Sequence, residues 1–336
     1  MGETFLAALS FEDRCVGGFE RQRTVDSSTV GVFLDYAGDA TPGTEASLAR
    51  EQNWVRIQEI ADSRDISVSR MRIDPYAMRS LEDTINYHGT LCDRLAVDLT
   101  CFTRPHVLAA CQALAGLSAA TRWRVGYTTP FSYGDLDTPS ASGGWRDTLV
   151  LPLASDASLE NEGLAVGIML LGHQGERAAI ALDQLEPAVG ISVLTRRTDR
   201  PDIHRATLAQ NRPLLEHLGR LRMPGPKRHE IAEYFASGGW SLESVKFDDL
   251  VPDVSRTLSP VMRSARALRA PIVLYPFGPK LVVFLYAFAM AAHYPRGSWA
   301  IYPVARTHPL NYSDGVDEVR WLDDTDVRLG LKELSA

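Results

Sequence analysis

The sequence predicts an α/β protein made of two tandem, duplicated Rossmann-like domains, each a doubly wound and mostly parallel sheet, related by a pseudo-two-fold axis. Three observations predict this fold. Short apolar segments alternate with helical segments, as in βαβ units. Each half contains a strand, a turn with one cation and an apolar helix, in that order, and each half ends on a P-x-x-Y-x-D spacing. We expect the first domain at residues 1–155 and the second at residues 163–336.

In the first half, apolar and β-branched segments predict strands at residues 4–9, 30–34, 66–73, 95–100 and 123–127. The intervening segments predict a helix that begins near residue 14 and helices at residues 45–62, 78–93 and 105–117. A stretch rich in Ser, Gly, Thr, Pro and Asp, residues 130–144, is predicted as a loop whose length suits a functional role. An extra strand at residues 148–153 and a polar linker at residues 155–163 follow.

In the second half, the same reasoning predicts strands at residues 165–171, 189–194, 242–247, 272–276 and 299–304. Helices are expected from the turn after Gly172 to about Leu185, then at residues 203–220, 228–236, 250–269 and 281–292. Pro260 is expected to interrupt the helix at residues 250–269. The acidic tail from Asp314 is predicted to form a hairpin or an edge strand.

The composition is that of a globular protein with room for two domains, with 336 residues, 45% hydrophobic and 23% charged. The net charge of −7 argues against direct binding of nucleic acid or of an anionic membrane. The longest apolar run, Leu281–Ala292, has about 12 residues, whereas a membrane-spanning helix needs roughly 20. The 4 cysteines form no C-x-x-C pair and no metal-ligand spacing with histidine, and the sequence shows no signal peptide. We therefore expect a cytoplasmic protein without a metal site.

Several well-known catalytic and nucleotide-binding motifs are absent from the sequence. It contains neither G-x-G-x-x-G nor G-x-x-x-x-G-K-[ST], so standard dinucleotide and P-loop sites lack support. The zinc-protease motif H-E-x-x-H and the serine-hydrolase motif G-x-S-x-G are also missing. Any ligand site must therefore be inferred from strand-end positions.

Three positions match between the halves. Asp13-Arg14 and Glu176-Arg177 follow the first strand of each half, Arg104 and Lys280 follow the fourth, and two P-x-x-Y-x-D segments begin at Pro130 and Pro309. A fixed order of matched elements indicates an internal repeat. Because any two α/β domains share the same strand–helix rhythm, the duplication hypothesis depends mainly on the P-x-x-Y-x-D match. Ligands of such folds bind at the carboxyl ends of the parallel strands, where all three positions are expected.

Arg104 and Lys280 are the leading candidates for an anion site. Each is expected where a helix begins after a strand, and the N–H groups of a helix start already favour phosphate. Gly278 would let a ligand approach the backbone closely. The alternative is that each cation pairs with a neighbouring carboxylate such as Asp98.

Glu12 and Glu176 are candidate catalytic carboxylates, able to hold a ribose diol or to act as a nucleophile on a glycosidic bond. The alternative for these glutamates, and for Arg14 and Arg177 beside them, is an internal ion pair or a charge at the start of a helix. Tyrosines at positions 133 and 312 could stack on a base or donate a hydroxyl hydrogen bond. Each could equally be an ordinary turn residue.

Three strand-end motifs, F-E-D-R at residues 11–14, D-L-T-x-x-x-R at residues 98–104 and Y-P-F-G-P-K at residues 275–280, resemble those of Rossmann-like proteins of bacterial conflict systems. These include nucleotide-binding CARF sensor domains and the nucleoside deoxyribosyltransferase and TIR-like families. In CARF-like domains a strand, a small-residue/Lys turn and a helix line the ligand site, and residues 277–280 are similar to that turn. The usual Gly-Thr-Lys turn is Gly-Pro-Lys here and Phe-Thr-Arg in the first half, and no catalytic-glutamate signature carries over from the other families.

Three functions follow as expectations. The first is a nucleotide-binding sensor or accessory subunit of a bacterial, antiviral system, with a symmetric or dinucleotide ligand bound in the pseudo-two-fold cleft and no other cofactor. Its ligand-binding residues would be Arg14, Thr100, Arg104, Tyr133, Arg177, Gly278, Lys280 and Tyr312. The second is an enzyme that cleaves an N-glycosidic bond of a nucleotide or NAD. The third is a catalytically silent scaffold. A protein partner or a homo-oligomer is expected as well.

Overall fold

A computed structural model of the chain describes residues 2–21, 29–36, 43–118, 120–133, 145–154, 165–173, 175–185, 187, 189–220, 239–305 and 313–335. The chain forms two compact units. Unit 1 comprises Met1–Asp137 and Pro309–Asp326, and unit 2 comprises Thr138–His308 and Val327–Ala336. Among the described residues, no helix is long and apolar enough to cross a membrane.

Unit 1 is a six-stranded sheet with helices between its parallel strands. Its strands are β1 Glu3–Leu9, β2 Val30–Tyr36, β3 Ser67–Ile73, β4 Arg94–Asp98, β5 Arg122–Thr128 and β14 Val319–Asp323. Its helices are α1 Arg14–Glu20, α2 Glu45–Ser63, α3 Met78–Leu91 and α4 Arg104–Gly116. The strand order is β3-β2-β1-β4-β5-β14, and only β14 runs antiparallel to its neighbour. A two-stranded ribbon, β6 Ser132–Tyr133 with β13 Ser313–Asp314, completes the unit.

Unit 2 contains a second six-stranded sheet. Its strands are β7 Trp145–Pro152, β8 Val166–Leu171, β9 Val189–Arg196, β10 Gly239–Lys246, β11 Ile272–Pro276 and β12 Ser298–Ala305. Its helices are α5 Gly175–Leu182, α6 Pro201–Gln210, α7 Arg212–Arg220, α8 Leu250–Leu268 and α9 Lys280–His293. The strand order is β10-β9-β8-β11-β12-β7, with only β7 antiparallel to its neighbour. The helix α10 Asp324–Gly330 and a 3₁₀ turn, Lys332–Ser335, end the chain.

The two sheets have the same strand order, so the predicted α/β class with two mostly parallel sheets is confirmed. We count the five parallel strands of each sheet in chain order and call the antiparallel strand the sixth. The first strand (β1 or β8) then lies centrally and the fourth (β4 or β11) lies beside it. The sixth (β14 or β7) closes one edge. Every residue of the central strands β1, β8 and β11 is buried. Parallel strands covered by helices on both faces are expected to be apolar throughout, which explains why these segments lack a polar alternation.

The sixth strand of each sheet comes from outside the expected domain boundaries. The expected first domain, residues 1–155, contains β7, but β7 pairs with β12 in unit 2. The expected second domain, residues 163–336, contains β14, but β14 pairs with β5 in unit 1. Antiparallel edge pairing can join segments that are distant in sequence, so the local pattern did not reveal this exchange. The predicted edge strand in the acidic tail is confirmed as β14.

The helices of unit 2 differ from the predictions in two places. The helix α8 continues through Pro260 instead of breaking there. The single helix predicted at residues 203–220 is two helices, α6 and α7, which meet at the buried Asn211. The helix predicted at residues 228–236 lies outside the described residues.

Candidate functional site

Arg104 and Lys280 occupy equivalent places in the two units. Arg104 is the first residue of α4, which follows β4, and Lys280 is the first residue of α9, which follows β11. Both residues are partly exposed. Each cation therefore lies at the carboxyl end of a parallel strand and at the positive end of a helix, where anions bind.

The start of α4 in unit 1 is capped by the protein itself. Thr103 Oγ1 accepts a hydrogen bond from the amide of His106 at 3.4 Å and donates one to the Pro75 carbonyl at 2.8 Å. The second residue of the helix is Pro105, which has no N–H. Two of the first-turn amides are therefore missing or already bonded, which reduces what this helix can offer an anion.

A buried tyrosine–histidine pair supports this helix start. The Tyr36 hydroxyl accepts from the Thr103 amide at 3.3 Å and lies 3.0 Å from Nδ1 of His106. Which of the two groups donates in the Tyr36–His106 hydrogen bond depends on the tautomer of the imidazole. Burial lowers the pKa of His106 to about 4, so the imidazole is neutral at physiological pH. The pair ties the end of β2 to the start of α4.

The start of α9 in unit 2 has no such cap. Its N-cap residue is Pro279, whose side chain makes no capping hydrogen bond. The backbone supports the turn before it, because the Phe277 amide donates to the Leu170 carbonyl at 3.1 Å. The buried Gly278 packs against Leu170, and a Cβ there would lie 3.2 Å from Leu170 Cβ. The turn is thus held by backbone packing.

Gly172 makes this turn possible. Gly172 directly follows β8, and a Cβ at this position would overlap the carbonyl oxygen of Phe277. The fully buried Asn211 secures the same residue, because its Nδ2 donates to the Gly172 carbonyl at 2.7 Å. Only glycine permits this approach between the ends of β8 and β11.

Arg14 is a buried residue of unit 1 whose donors are used inside the protein. Its Nε and one terminal nitrogen donate to Oε2 of Glu12, and its other terminal nitrogen donates to the Thr128 carbonyl at 3.1 Å. Burial opposes its charge, but the Glu12 carboxylate, together with Tyr127, Cys101 and Tyr133, raises the pKa of Arg14 above its ordinary value. This geometry matches the internal ion pair, which was one of the alternatives that the sequence allowed for Glu12 and Arg14.

Arg177 is the counterpart of Arg14 in unit 2. It is 4% exposed, and its Nε donates to the Pro303 carbonyl at 2.8 Å. A terminal nitrogen donates to the Tyr302 hydroxyl at 2.6 Å. Glu176 beside it is exposed in the first turn of α5, a position where an acidic side chain stabilises a helix. Glu12 and Glu176 are therefore not equivalent, since only Glu12 pairs with its arginine.

Thr100 links the ends of β4 and β5. Its hydroxyl donates to Asp98 Oδ1 and accepts from the Thr128 amide at 2.8 Å. Thr100 is 1% exposed, and the buried Asp98 lies against the bare Cα of Gly18, where a Cβ would overlap the carboxylate. These contacts show Thr100 in a positioning role at the strand ends.

Tyr133 lies in the ribbon of unit 1, where its backbone pairs with Ser313. It is partly exposed, and it is one of the side chains that raise the pKa of Arg14, after Glu12. The Ser313 hydroxyl donates to Glu12 Oε2. Tyr133 is therefore near the Glu12–Arg14 pair, whereas its predicted counterpart Tyr312 lies outside the described residues.

Sequence reasoning missed the residues that support these positions: Tyr36, His106, Asn211 and Ser313. Each makes its contact far along the chain: the separation is 39 residues for Asn211 and Gly172, 70 for Tyr36 and His106, and 301 for Ser313 and Glu12. The T-x-x-H spacing of the α4 cap was the one local signal available. Within the described ranges, no group of three or more His, Cys, Asp or Glu side chains could hold a metal ion.

Comparisons with known proteins add little to this picture. No protein-family model matches the sequence, and no curated protein matches it. One similar solved structure is described as that of a Type III CRISPR defence DNA nuclease activated by cyclic oligoadenylate. It is 9% identical, with a TM-score of 0.49 over 98% of this chain and 70% of that chain. At this identity the likeness is one of architecture only.

Proposed function

We propose that this protein binds a phosphate-bearing nucleotide at the carboxyl ends of its parallel strands and serves as a sensor or accessory subunit of a bacterial conflict system. The observation that carries the proposal is the matched placement of Arg104 and Lys280. Each begins a long helix directly after the fourth parallel strand of its sheet, and the two sheets have the same strand order. We propose a conflict system because residues 275–280 resemble the turns of CARF-like domains. We expect the system to serve antiviral defence.

The helix starts favour unit 2 as the main phosphate site. In unit 1 the Thr103 hydroxyl occupies the His106 amide, and Pro105 has no N–H. In unit 2 the N-cap residue Pro279 makes no side-chain cap, and Lys280 adds a positive charge there. A helix start whose N-cap residue makes no side-chain cap, with a cation beside it, suits the binding of a phosphate.

The buried arginines support the proposal indirectly. Arg14 and Arg177 each bond to a carbonyl at the end of a fifth strand. Such contacts hold the strand ends in place and leave ligand contact to the partly exposed Arg104, Tyr133 and Lys280. In this proposal Thr100 and Gly278 shape the turns that present those three side chains.

A thermal-shift screen tests the proposal. The full chain is heated with mono-, di- and cyclic nucleotides, with cyclic oligoadenylate and with NAD, and the same samples are analysed for products. A ligand at 100 times its dissociation constant stabilises the folded state by roughly 2.7 kcal/mol, which gives a measurable shift. We expect at least one nucleotide to raise the melting temperature without being consumed.

Variants then locate the site. Lys280→Ala should abolish the shift, Lys280→Arg should retain part of it, and Arg104→Ala should weaken it less. Lys332→Ala and Arg263→Ala remove exposed cations in the 3₁₀ turn and in α8, so they are matched controls and should leave the shift unchanged. No shift with any nucleotide would refute the proposal and favour a scaffold. Release of a base or of nicotinamide would favour the glycosidic enzyme instead.

A further inference from the structure

Two of the cysteines lie at the same end of the unit 1 sheet, and both are thiols. Cys15 is the second residue of α1, the helix that follows β1. Cys101 lies in the turn between β4 and α4. Because β1 and β4 are adjacent parallel strands, the segments that follow them leave the sheet at the same edge.

The sulfur of Cys15 reaches the end of β1. Its Sγ donates a hydrogen bond to the Ser10 carbonyl at 3.4 Å. The last pair in the register of β1 with β4 is Ala7 with Asp98. Ser10 and Cys101 each follow that pair by three residues, and adjacent strands are about 4.8 Å apart. The contact with Ser10 therefore brings the Cys15 sulfur to the level of Cys101.

The packing of α1 against β4 gives the same placement. Gly18 of α1 lies so close to Asp98 that a Cβ on it would overlap Oδ2 of the carboxylate. Cys15 precedes Gly18 by three residues, so both lie on the face of α1 that is turned to β4. Cys15 also belongs to the buried apolar cluster of unit 1, and Cys101 packs against that cluster. The two thiols therefore share one corner of the unit.

The two thiols differ in exposure. Cys15 is 1% exposed, whereas Cys101 is partly exposed. Burial raises the pKa of Cys15 well above its ordinary value, and the neighbouring Cys101 adds to the rise. Cys15 is therefore held as a protonated thiol, while Cys101 is the sulfur that a small oxidant reaches first.

We propose that Cys15 and Cys101 form a peroxide-reactive thiol pair that closes reversibly to a disulfide. The Cys101 sulfur attacks one oxygen of hydrogen peroxide, the O–O bond breaks, and the other oxygen leaves as water with the thiol proton, so that Cys101 becomes a sulfenic acid. The Cys15 sulfur then displaces hydroxide from this sulfenic acid, and the hydroxide leaves as a second water with the Cys15 proton. Overall the thiols lose two electrons and two protons, and the peroxide is reduced to water. A dithiol reverses the bond by thiol–disulfide exchange.

The disulfide fastens α1 to the turn that leads into α4. Arg14 directly precedes Cys15, and Arg104 follows Cys101 by three residues. Oxidation therefore restrains both cations at the strand ends of unit 1. The reaction needs no nucleotide, so this inference does not rest on the proposed function.

Peptide mapping of the full chain tests the proposal. The protein is reduced with dithiothreitol, desalted, treated with hydrogen peroxide and alkylated in denaturant with iodoacetamide. Trypsin and chymotrypsin cleave at Arg94 and Phe102, which separates Cys101 from the other thiols. We expect the chain to lose two hydrogens in mass, with Cys15 and Cys101 in one cross-linked pair of peptides that dithiothreitol releases. The other two thiols should remain open to alkylation.

Three variants separate the steps. Cys15→Ala should stop the reaction at the sulfenic acid of Cys101, which a cyclic diketone probe labels, and Cys101→Ala should leave Cys15 reduced. Cys92→Ala is the matched control, because it removes another partly exposed thiol, at the amino end of β4. That control should form the cross-link as the wild type does.

Other results would overturn the proposal. They are peroxide treatment that leaves Cys15 and Cys101 open to alkylation, or that joins Cys101 to Cys92 or to a second chain. The mapping of the wild-type chain decides between these outcomes by itself, so the test stands even if a variant fails to fold.

Discussion

The guanidinium of Arg177 lies over the ring of Tyr302, with its central carbon 4.3 Å from the ring centroid, and also donates to the hydroxyl of that tyrosine. The same arginine donates to the carbonyl of Pro303. In unit 1, Arg14 donates to the carbonyl of Thr128, which follows Tyr127 as Pro303 follows Tyr302. A buried arginine therefore ties the first helix to the end of the fifth strand in both units.

Replacing Arg177 by methionine should destabilise unit 2. The change leaves the Pro303 carbonyl and the Tyr302 hydroxyl without their charged donor, so we expect the free energy of unfolding to fall by about 1.5–3 kcal/mol. Arg177→Lys should recover only part of this loss, since an ammonium cannot both lie flat on the ring and reach both acceptors. Urea denaturation measures the effect, and an unchanged midpoint for Arg177→Met would contradict it.

Gly126→Ala should destabilise unit 1. The new Cβ would lie 2.6 Å from the Trp321 ring, so the strand β14 must shift, at a cost of about 1–3 kcal/mol. Gly116→Ala is the matched control, because nothing lies within 4 Å of a Cβ at the last residue of α4. We expect that control to be neutral or slightly stabilising. Equal effects of the two substitutions in thermal unfolding would show that Trp321 does not press on the sheet as described.

Gly172→Ala should disturb the start of α9 more than Gly278→Ala does. A Cβ on Gly172 meets the backbone carbonyl of Phe277, which cannot move without separating β8 from β11. A Cβ on Gly278 would lie 3.2 Å from Leu170 Cβ and 3.5 Å from the Leu171 carbonyl oxygen, so a shift of a few tenths of an ångström would relieve the contact. We expect a loss of several kcal/mol for the first substitution and about 1 kcal/mol for the second. Calorimetry of both variants decides the order, and the reverse order would contradict it.

Two histidines with lowered pKa values, the buried His106 and the partly exposed His173, should make stability depend on pH. Burial lowers the pKa of His106 and of His173 from 6.5 to about 4. Between these values the unfolded chain binds the additional protons, so the stability that is present above pH 6.5 falls as the pH drops towards 4. Each histidine can account for a loss of up to about 3 kcal/mol.

Chemical denaturation between pH 4 and pH 7 measures this loss. His106→Gln should show a smaller decline than the wild type, because glutamine does not titrate and its side chain can still bond to Tyr36. The carboxylates titrate alike in both proteins, so the difference between the two curves isolates His106. Identical slopes would show that the buried imidazole is not what makes the folded state sensitive to acid.

Local patterns were enough to predict most of the fold and part of the candidate site. Arg104 and Lys280 were placed correctly at helix starts, because a short apolar strand followed by a cation and an apolar run is readable within a few residues. Glu12 was singled out from its place after β1, but its partner Ser313 is 301 residues away and left no local trace. Pro260 misled the prediction, since packing of α8 overrides the usual break.

The amino-acid pattern alone determined the two parallel sheets, because buried strands must be apolar throughout and each leads into a helix that covers it. It also determined the matched cations, because the same short motif occurs in both halves. Only the tertiary structure decided which sheet each sixth strand joins, and which side chains surround Arg14 and Arg177. Those choices depend on contacts such as Trp321 against Gly126, made between segments far apart in the chain, where periodicity carries no information.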